Sequence, residues 1–365
     1  MIDPKQLKKT LSNNNINQYI GVPDSVLKNF LGFIPEKNNF ISNNEGSAVA
    51  YGIGYYLSTK KIPLIYMQNS GLGNAINPLI SIAHKKVYSI PLLLLIGWRG
   101  SPNSNDEPQH QAQGKVTKEF LRLLGIKTFV LNNSKDLKKL KRLIQYSKKN
   151  SCPVAVLIKN GKIEKNSINK KIKKEKSNIK RITFLENLLK KISKKSKIVS
   201  TTGYTSREIY QLRKQKNLKN NSDFYMIGGM GHTSNVALGY SKYSKRNVFV
   251  LDGDGSFLMH MGSMVNVGHL AGNNYKYILL NNCCHESVGS QKTLINKVNL
   301  KLLSKSLGFK KYIELKKTHE IDKKIKMVVN SKEKIFLNVM IKEGSIKNLT
   351  RPKKFLKIKE NFIQN

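Results

Sequence analysis

"VFVLDGDGSFLMHMG", residues 248–262, decides the fold. An apolar run of strand type stops at Gly-Asp-Gly-Ser and leaves Asp254 where the hydrophobic pattern ends. A second run, "YKYILLNN" (275–282), ends in the same way at Asn281 and Asn282. If the two strands are parallel, Asp254 and Asn282 emerge at carboxyl ends of one sheet. That is the edge at which open α/β sheets bind ligands.

Asp and Asn oxygens are hard donors suited to Mg²⁺ or Ca²⁺. The glycines let backbone approach a phosphate closely. The segment from about Leu258 can offer helix N-terminal amides to an anion. GDGS alone is as well read as a surface turn. GDGS and NN at the ends of two strands, with one helical stretch between them, point to a divalent metal holding a diphosphate.

Outward from this centre, strand-like and helix-like runs alternate twice over. "PLIYMQ" (63–68), "IPLLLLI" (90–96) and "PVAVLIK" (153–159) read as strands buried on both faces. "GSAVAYGIGYYLST" (46–59) and "NAINPLISIAHKK" (74–86) read as helices between them. In the second half "KIVSTTG" (197–203), "NVFVLDG" (247–253), "YKYILLNN" and "KIFLNVMIK" (334–342) are the strand candidates. The alternation predicts an α/β fold of two domains, each a mostly parallel sheet flanked by helices. The Lys/Asn-rich stretch from residue 160 to 181 is poor in apolar residues and reads as the seam. The expected division is 1–160, a linker over 161–182, and 183–365.

Composition bounds the function. The 365 residues, 39% hydrophobic, are enough for two cores. No segment approaches the roughly 18 to 20 apolar residues of a membrane span. "MIDPKQLKKTLSNNN" has no apolar signal-peptide core. Cys152, Cys283 and Cys284 form neither a disulfide framework nor a zinc motif. A reducing, cytoplasmic setting is therefore expected. The net charge of +43 invites a nucleic-acid reading, but only 8 of the 65 basic residues are Arg and the lysines are scattered. The charge reads as solvated surface whose field attracts anionic substrates, with no specific nucleic-acid partner and no membrane.

GDGS followed some 27 residues later by NN resembles the thiamine diphosphate fingerprint. "GVPDSVLKNF" (21–30), "NNEGSAVAYGIGYYL" (43–57), "QNSGLGNAINPL" (68–79), "DEPQHQAQGKVT" (106–117), "STTGYTSRE" (200–208), "GGMGHTSNVALG" (228–239) and "NNCCHESVGSQKT" (281–293) resemble the phosphonopyruvate decarboxylases. The resemblance runs from about residue 3 to about 345, and sulfopyruvate decarboxylases are similar. It implies a pyrimidine-binding domain first and a diphosphate-binding domain second. The cofactors implied are thiamine diphosphate and Mg²⁺ or another divalent cation. The cofactor would lie between domains of two subunits, so that a homo-oligomer, at least a dimer, is the active unit.

Residue roles follow from the same resemblance. Asp254 and Asn282 would ligate the metal by side chain, and Cys284 by its backbone carbonyl. Thr202, Gly203, Gly255 and Ser256 would line the diphosphate. Gly228 would contact the aminopyrimidine, and Met230 would be the apolar wedge that holds the cofactor bent. Glu45, read without the resemblance, is a residue that caps or favours a helix start. With it, Glu45 would share a proton with the pyrimidine N1′ and so promote loss of the C2 proton, which needs a dry site.

The implied substrate is an anionic 2-oxo acid, phosphonopyruvate, split to phosphonoacetaldehyde and CO₂ in phosphonate synthesis of the 2-aminoethylphosphonate type. Asp24, Ser25, Gln113, Ser287 and Gln291 are substrate-site candidates, with Asp24 as an orienter. His110 and His285 are candidates for proton relay. His232 and His260 are read as supporting residues behind them. Lys292 stands where the family has Pro, which bears on the local loop shape. Sulfopyruvate is the alternative substrate. A carboligase is disfavoured because the chain lacks the central domain of the larger enzymes. A basic nucleic-acid-binding protein would have no use for Glu45, Asp254 and Asn282.

Overall fold

Alternate residues of strand β4 (Leu93–Trp98) feed two different cores. Leu93 and Leu95 pack with Leu7, Leu11, Phe30, Leu140 and Ile144 on one face. Leu94 and Ile96 pack with Val49, Ile53, Leu72 and Leu121 on the other. A strand with period-two side chains can be apolar throughout only when both faces are covered, as here. The computed structural model describes residues 1–165 and 177–364 and divides into two units, Met1–Lys171 and Ile172–Asn365.

In unit one, β1 (Tyr19–Gly21), β2 (Asn39–Ile41), β3 (Leu64–Gln68), β4, β5 (Lys127–Val130) and β6 (Val154–Lys159) form a sheet in the order β2-β1-β3-β4-β6-β5. Every pairing is parallel. In unit two, β7 (Lys197–Ser200), β8 (Asp223–Tyr225), β9 (Val248–Gly253) and β10 (Tyr275–Asn281) are followed by a small hairpin of β11 (Cys284–His285) and β12 (Gln291–Lys292). β13 (Lys311–Leu315) and β14 (Ile335–Met340) complete the second sheet, ordered β13-β14-β10-β9-β7-β8 and again parallel throughout. Read from its other edge, that order repeats the order of unit one strand for strand. Tyr275, Tyr277 and Leu279 of β10 face one core and Ile278 and Leu280 the other.

Several element boundaries differ from the sequence reading. The helix expected over 74–86 spans Leu72–Pro78, continues as one wider turn over Leu79–Ala83 and stops. Pro78 brings no amide to the ladder and local widening accommodates it. After β9 the helix begins at Asp254 itself (Asp254–Met259), four residues before the expected Leu258, and a second helix follows at Ser263–Leu270. Strands β1, β2 and β8, three residues each, are too short for periodicity to reveal.

Residues 166–176 of the expected linker lie outside the described residues. Its flanks are built into their units: Ile163 bridges Ile2, and Lys180 bridges Lys342. Arg181 opens a helix, Arg181–Lys191. No helix among the described residues is long and apolar enough to cross a membrane.

Candidate active site

In unit one the chemistry gathers where β1, β3 and β4 end. The turn after β1 is pinned by Asp24, fully buried. Its Oδ2 accepts the amides of Val26 and Leu27, both at 3.1 Å, and its Oδ1 accepts Gln68 Nε2 at 2.9 Å. Gly97 of β4 lies so close that a Cβ there would fall 1.9 Å from Asp24 Oδ2. Burial pushes the carboxyl pKa up, against those hydrogen bonds and the nearby Arg99. All of this engages Asp24 within the protein.

Ser25, next in the turn, receives Arg99 Nη1 at 3.3 Å. The same guanidinium is held by Asp106 through Nε (2.7 Å) and Nη2 (2.5 Å), a bidentate pair. Burial would raise the Asp106 carboxyl, but Arg99 and the Glu107 and Gly100 amides hold it well below the usual range. The Arg99 backbone is tied to Asn69 in both directions at 3.0 Å, and Asn69 Nδ2 also reaches Thr117 Oγ1. Thr117 belongs to the helix Pro108–Leu123, whose first turn carries His110, partly buried, and whose next turn carries Gln113, exposed.

Glu45 is the first residue of the helix Glu45–Thr59, but the cap is Asn44, whose side chain accepts the Ser47 amide at 2.8 Å. Glu45 is buried at 5% exposure. Asn74 Nδ2 donates to its Oε2 at 2.8 Å, and Gly71 lies under its carboxyl group, where a Cβ would come within 2.1 Å of Oε1. Burial dominates, so the Glu45 pKa is raised despite the Asn74 hydrogen bond. A buried carboxyl whose side-chain partner is a neutral amide keeps or shares its proton to higher pH than an exposed one.

In unit two the carboxyl ends of β7, β8, β9 and β10 converge. Asp254, 2% exposed, follows β9. Thr293 Oγ1 donates to its Oδ2 at 2.5 Å. Burial raises its pKa to about 7 against that bond and the amides of Asp254, Gly255 and Asn282. Asn282 follows β10. Its Oδ1 accepts the Cys284 amide at 3.2 Å, and its Nδ2 donates to Glu286 at 3.0 Å. Between them Cys283 takes a left-handed backbone (φ 59°), which folds the chain back so that Cys283 O receives the Thr293 amide. Lys292, in the position that departs from the family, pairs with Cys284 across the β11–β12 hairpin and points its side chain to solvent.

Gly255 sits between two expected site residues. A Cβ there would lie 2.7 Å from the His285 ring and 3.3 Å from Met230 Cε. Burial lowers the His285 pKa to about 4, so the ring is neutral at pH 7. Ser256 Oγ receives the Gly231 amide at 3.0 Å and Thr201 Oγ1 at 3.2 Å. It thereby links the β7, β8 and β9 loops. Gly228 lies in that β8 loop. His232 and His260 stack at 4.6 Å behind it. Gly203 has φ 94° and opens the helix Tyr204–Leu212 without a capping side chain; a Cβ on it would lie 3.9 Å from Ser287 Oγ. Thr202, beside Gly203, is partly buried.

The donor set was tested against a divalent cation with a diphosphate, and it fits. Asp254 is a buried carboxylate whose partners, a hydroxyl and amides, are all neutral. Gln291 Oε1 is buried without a hydrogen-bond partner beside Gly289, in the same hairpin. Among the described residues no three His, Cys, Asp or Glu side chains cluster as a metal site. A cation held here would draw on Asp254, the Asn282 amide oxygen and a backbone carbonyl, a hard oxygen set. Burial pushes the Cys284 thiol up.

Sequence reasoning missed Arg99, Asp106, Asn69, Asn74, Thr201, Asp252, Glu286 and Thr293. Asp252 is buried, accepts Tyr277 Oη at 2.9 Å, and supports Ser256 and Thr201 from beneath. Asp106, Asn69, Asn74, Thr201, Glu286 and Thr293 all fall within the motif stretches quoted above, which was the available signal.

Two family models match this chain: the N-terminal binding domain of thiamine pyrophosphate enzymes over residues 5–120, and the C-terminal binding domain over residues 201–339. The chain belongs to the thiamine pyrophosphate (thiamine diphosphate) enzymes. It is similar to phosphonopyruvate decarboxylase of Streptomyces viridochromogenes, 29% identical over 97% of this chain and 92% of that protein. It is also similar to two subunits of the sulfopyruvate decarboxylase of Methanocaldococcus jannaschii. The beta subunit is 32% identical over 42% of this chain and 79% of the subunit. The alpha subunit is 35% identical over 40% of this chain and 87% of the subunit.

Proposed function

We propose that this protein is a thiamine diphosphate-dependent 2-oxo acid decarboxylase that converts 3-phosphonopyruvate and a proton to phosphonoacetaldehyde and CO₂. The observation that carries the substrate is similarity to phosphonopyruvate decarboxylase along nearly the whole chain. When bound, the thiamine diphosphate supplies the electron sink for carboxylate loss.

Within this reading Glu45 holds a proton against the pyrimidine N1′, with Asn74 fixing its orientation and burial keeping water away. Asp254, Asn282 and the Cys284 carbonyl hold Mg²⁺. Thr202, Gly203, Gly255 and Ser256 would line the diphosphate, Gly228 would contact the pyrimidine, and Met230 would be the apolar prop against the cofactor. His285, neutral because buried, could relay a proton to the product carbon by releasing the one on one ring nitrogen while the other ring nitrogen accepts one, and His110 is a second relay candidate.

The substrate's second anion needs positive charge. Arg99 supplies it in unit one, because Asp106 fixes the guanidinium plane and leaves Nη1 toward Ser25. Ser25 and Gln113 in unit one, and Ser287 and Gln291 in unit two, are the further polar substrate-site candidates, and Asp24 sets the turn that presents Ser25. Sulfopyruvate is a second reading, favoured by the similarity to the two sulfopyruvate decarboxylase subunits. The active unit is a homo-oligomer, at least a dimer. Three cysteines without disulfides suit a cytoplasmic setting.

The test is aldehyde release from purified protein with thiamine diphosphate and Mg²⁺. Phosphonopyruvate, sulfopyruvate and pyruvate are compared side by side. Turnover of phosphonopyruvate at least tenfold above the others is expected. Preference for sulfopyruvate would move the protein to sulfonate metabolism, and no decarboxylation of any of the three would sink the reading.

A further inference from the structure

Unit two contains a buried ionic chain that the reaction does not itself require. Arg181, 5% exposed at the start of its helix, donates Nε to Glu208 Oε2 at 3.0 Å and Nη1 to Glu286 Oε2 at 2.9 Å. Its Nη2 reaches Gly344 O at 3.1 Å. Glu208 is 1% exposed. Glu286 also accepts the Gly344 amide. Its Oε2 additionally receives Asn282 Nδ2 at 3.0 Å. Burying three charges costs several kcal/mol per ion before pairing recovers it, so an ionic chain is a poor way merely to fill space.

The consequence for Asn282 is chemical. The two ends of an asparagine amide are nearly the same shape, and only the hydrogen-bond partners decide which end faces where. An ionised carboxylate accepts and cannot donate. Glu286 therefore admits only the NH₂ end of Asn282, and Oδ1 must turn the other way. There it accepts one bond, from the Cys284 amide, and keeps one lone pair. The main chain of the same residue lies against Asp254, whose carboxylate accepts the Asn282 backbone N–H. The opposite orientation would aim two N–H groups at a cation.

We infer that Glu286 is a positioning residue: braced by Arg181, it orients Asn282 so that Oδ1 is presented to a divalent cation. The inference rests on the reading of Asp254 and Asn282 as cation ligands. Partners of this kind, one layer behind a ligand, typically change metal affinity about 10- to 100-fold.

The experiment is a Mg²⁺ titration of the cofactor-free full chain at fixed thiamine diphosphate, followed by calorimetry with no substrate. Glu286→Leu, of similar bulk and without an acceptor, should weaken Mg²⁺ by about 10- to 100-fold; Glu286→Ala serves if the leucine variant does not fold. Glu286→Gln keeps an acceptor for Asn282 and should stay within about fivefold of wild type. Glu208→Gln removes the charge of one Arg181 partner but leaves the Arg181–Glu286 pair that braces Asn282. It should lower the melting temperature and leave Mg²⁺ affinity within about threefold. Unchanged affinity in folded Glu286→Leu or Glu286→Ala, or equal weakening in Glu208→Gln, overturns the positioning role alone. A wild type that binds no Mg²⁺ with the cofactor overturns the role and the metal reading together.

Discussion

Asn74 donates to Glu45 Oε2 over 2.8 Å while Gly71 lies flat beneath the same carboxyl group, so one short turn both orients and crowds the buried acid. Unit one thus fixes its acid from a neighbouring element, independently of the helix that Glu45 begins. Glu45→Gln should fold and bind cofactor, while C2-proton exchange of the bound cofactor, followed by deuterium uptake, falls by about 10²- to 10⁴-fold. Exchange at the wild-type rate would remove Glu45 from the chemistry.

Gly71→Ala tests the crowding separately. Its methyl would fall 2.1 Å from Glu45 Oε1, far inside van der Waals contact, and the acid must move. We expect kcat to drop by about 10²-fold, as for a displacement of the order of 1 Å. The overall fold, read by far-ultraviolet circular dichroism, should be retained. A variant with normal kcat would show that the carboxyl group need not sit where it does.

Asn74 also sets a pH dependence. Burial raises the Glu45 pKa and the Asn74 hydrogen bond to the ionised form lowers it. Asn74→Ala removes the lowering contribution, so the pKa rises further and the ionised form appears only at higher pH. Because the protonated acid is the working form, the alkaline limb of the kcat/KM profile should therefore shift to higher pH. A shift to lower pH, or none, would contradict the assignment of that limb to Glu45.

For Arg99, the paired guanidinium should matter more for substrates with two anionic groups than for those with one. Arg99→Gln should raise KM for phosphonopyruvate by about 10- to 100-fold, the scale of a charge-assisted hydrogen bond of 1.5–3 kcal/mol. KM for pyruvate should move less than about threefold. Parallel changes for both substrates would mean that Arg99 only holds Asp106.

Gly255→Ala probes unit two. Its methyl would strike the His285 ring and crowd Met230, so the helix start after β9 or the His285 hairpin must shift. Calorimetry should show loss of cofactor affinity by about tenfold or more, if even ~1.4 kcal/mol of the strain appears in binding. Unaltered affinity would show that the β9 loop is more pliant than its packing implies.

Much of this was legible in the sequence, for identifiable reasons. Strands β4, β6, β9 and β10 are covered on both faces, so their apolar runs are continuous and stand out. The strand ends also place Asp254 and Asn282 on neighbouring parallel strands, which local pattern alone can suggest. Asn74 and Gly71 were invisible as partners of Glu45 because 29 residues of chain separate Asn74 from it, and tertiary folding closes that gap. Thr293 reaches Asp254 across 39 residues, and Arg181 reaches Glu286 across 105. The helix start at Asp254 was misplaced because Gly-Asp-Gly-Ser reads as a turn, whereas the packed strand end carries the chain straight into a helix.

The repeated strand order carries a practical consequence. Each unit closes its own pair of cores, and each sheet pairs only with itself. Such a chain is laid out as two modules in tandem, and it is similar to both the alpha and the beta subunit of one sulfopyruvate decarboxylase. Cutting the gene between residues 166 and 176 and co-expressing the pieces should give two soluble fragments that restore decarboxylation when mixed. Neither fragment should be active alone, because Glu45 and Asp254 would be on different polypeptides. The peptide link would then serve equal dosage and local concentration, with catalysis owing nothing to covalent continuity.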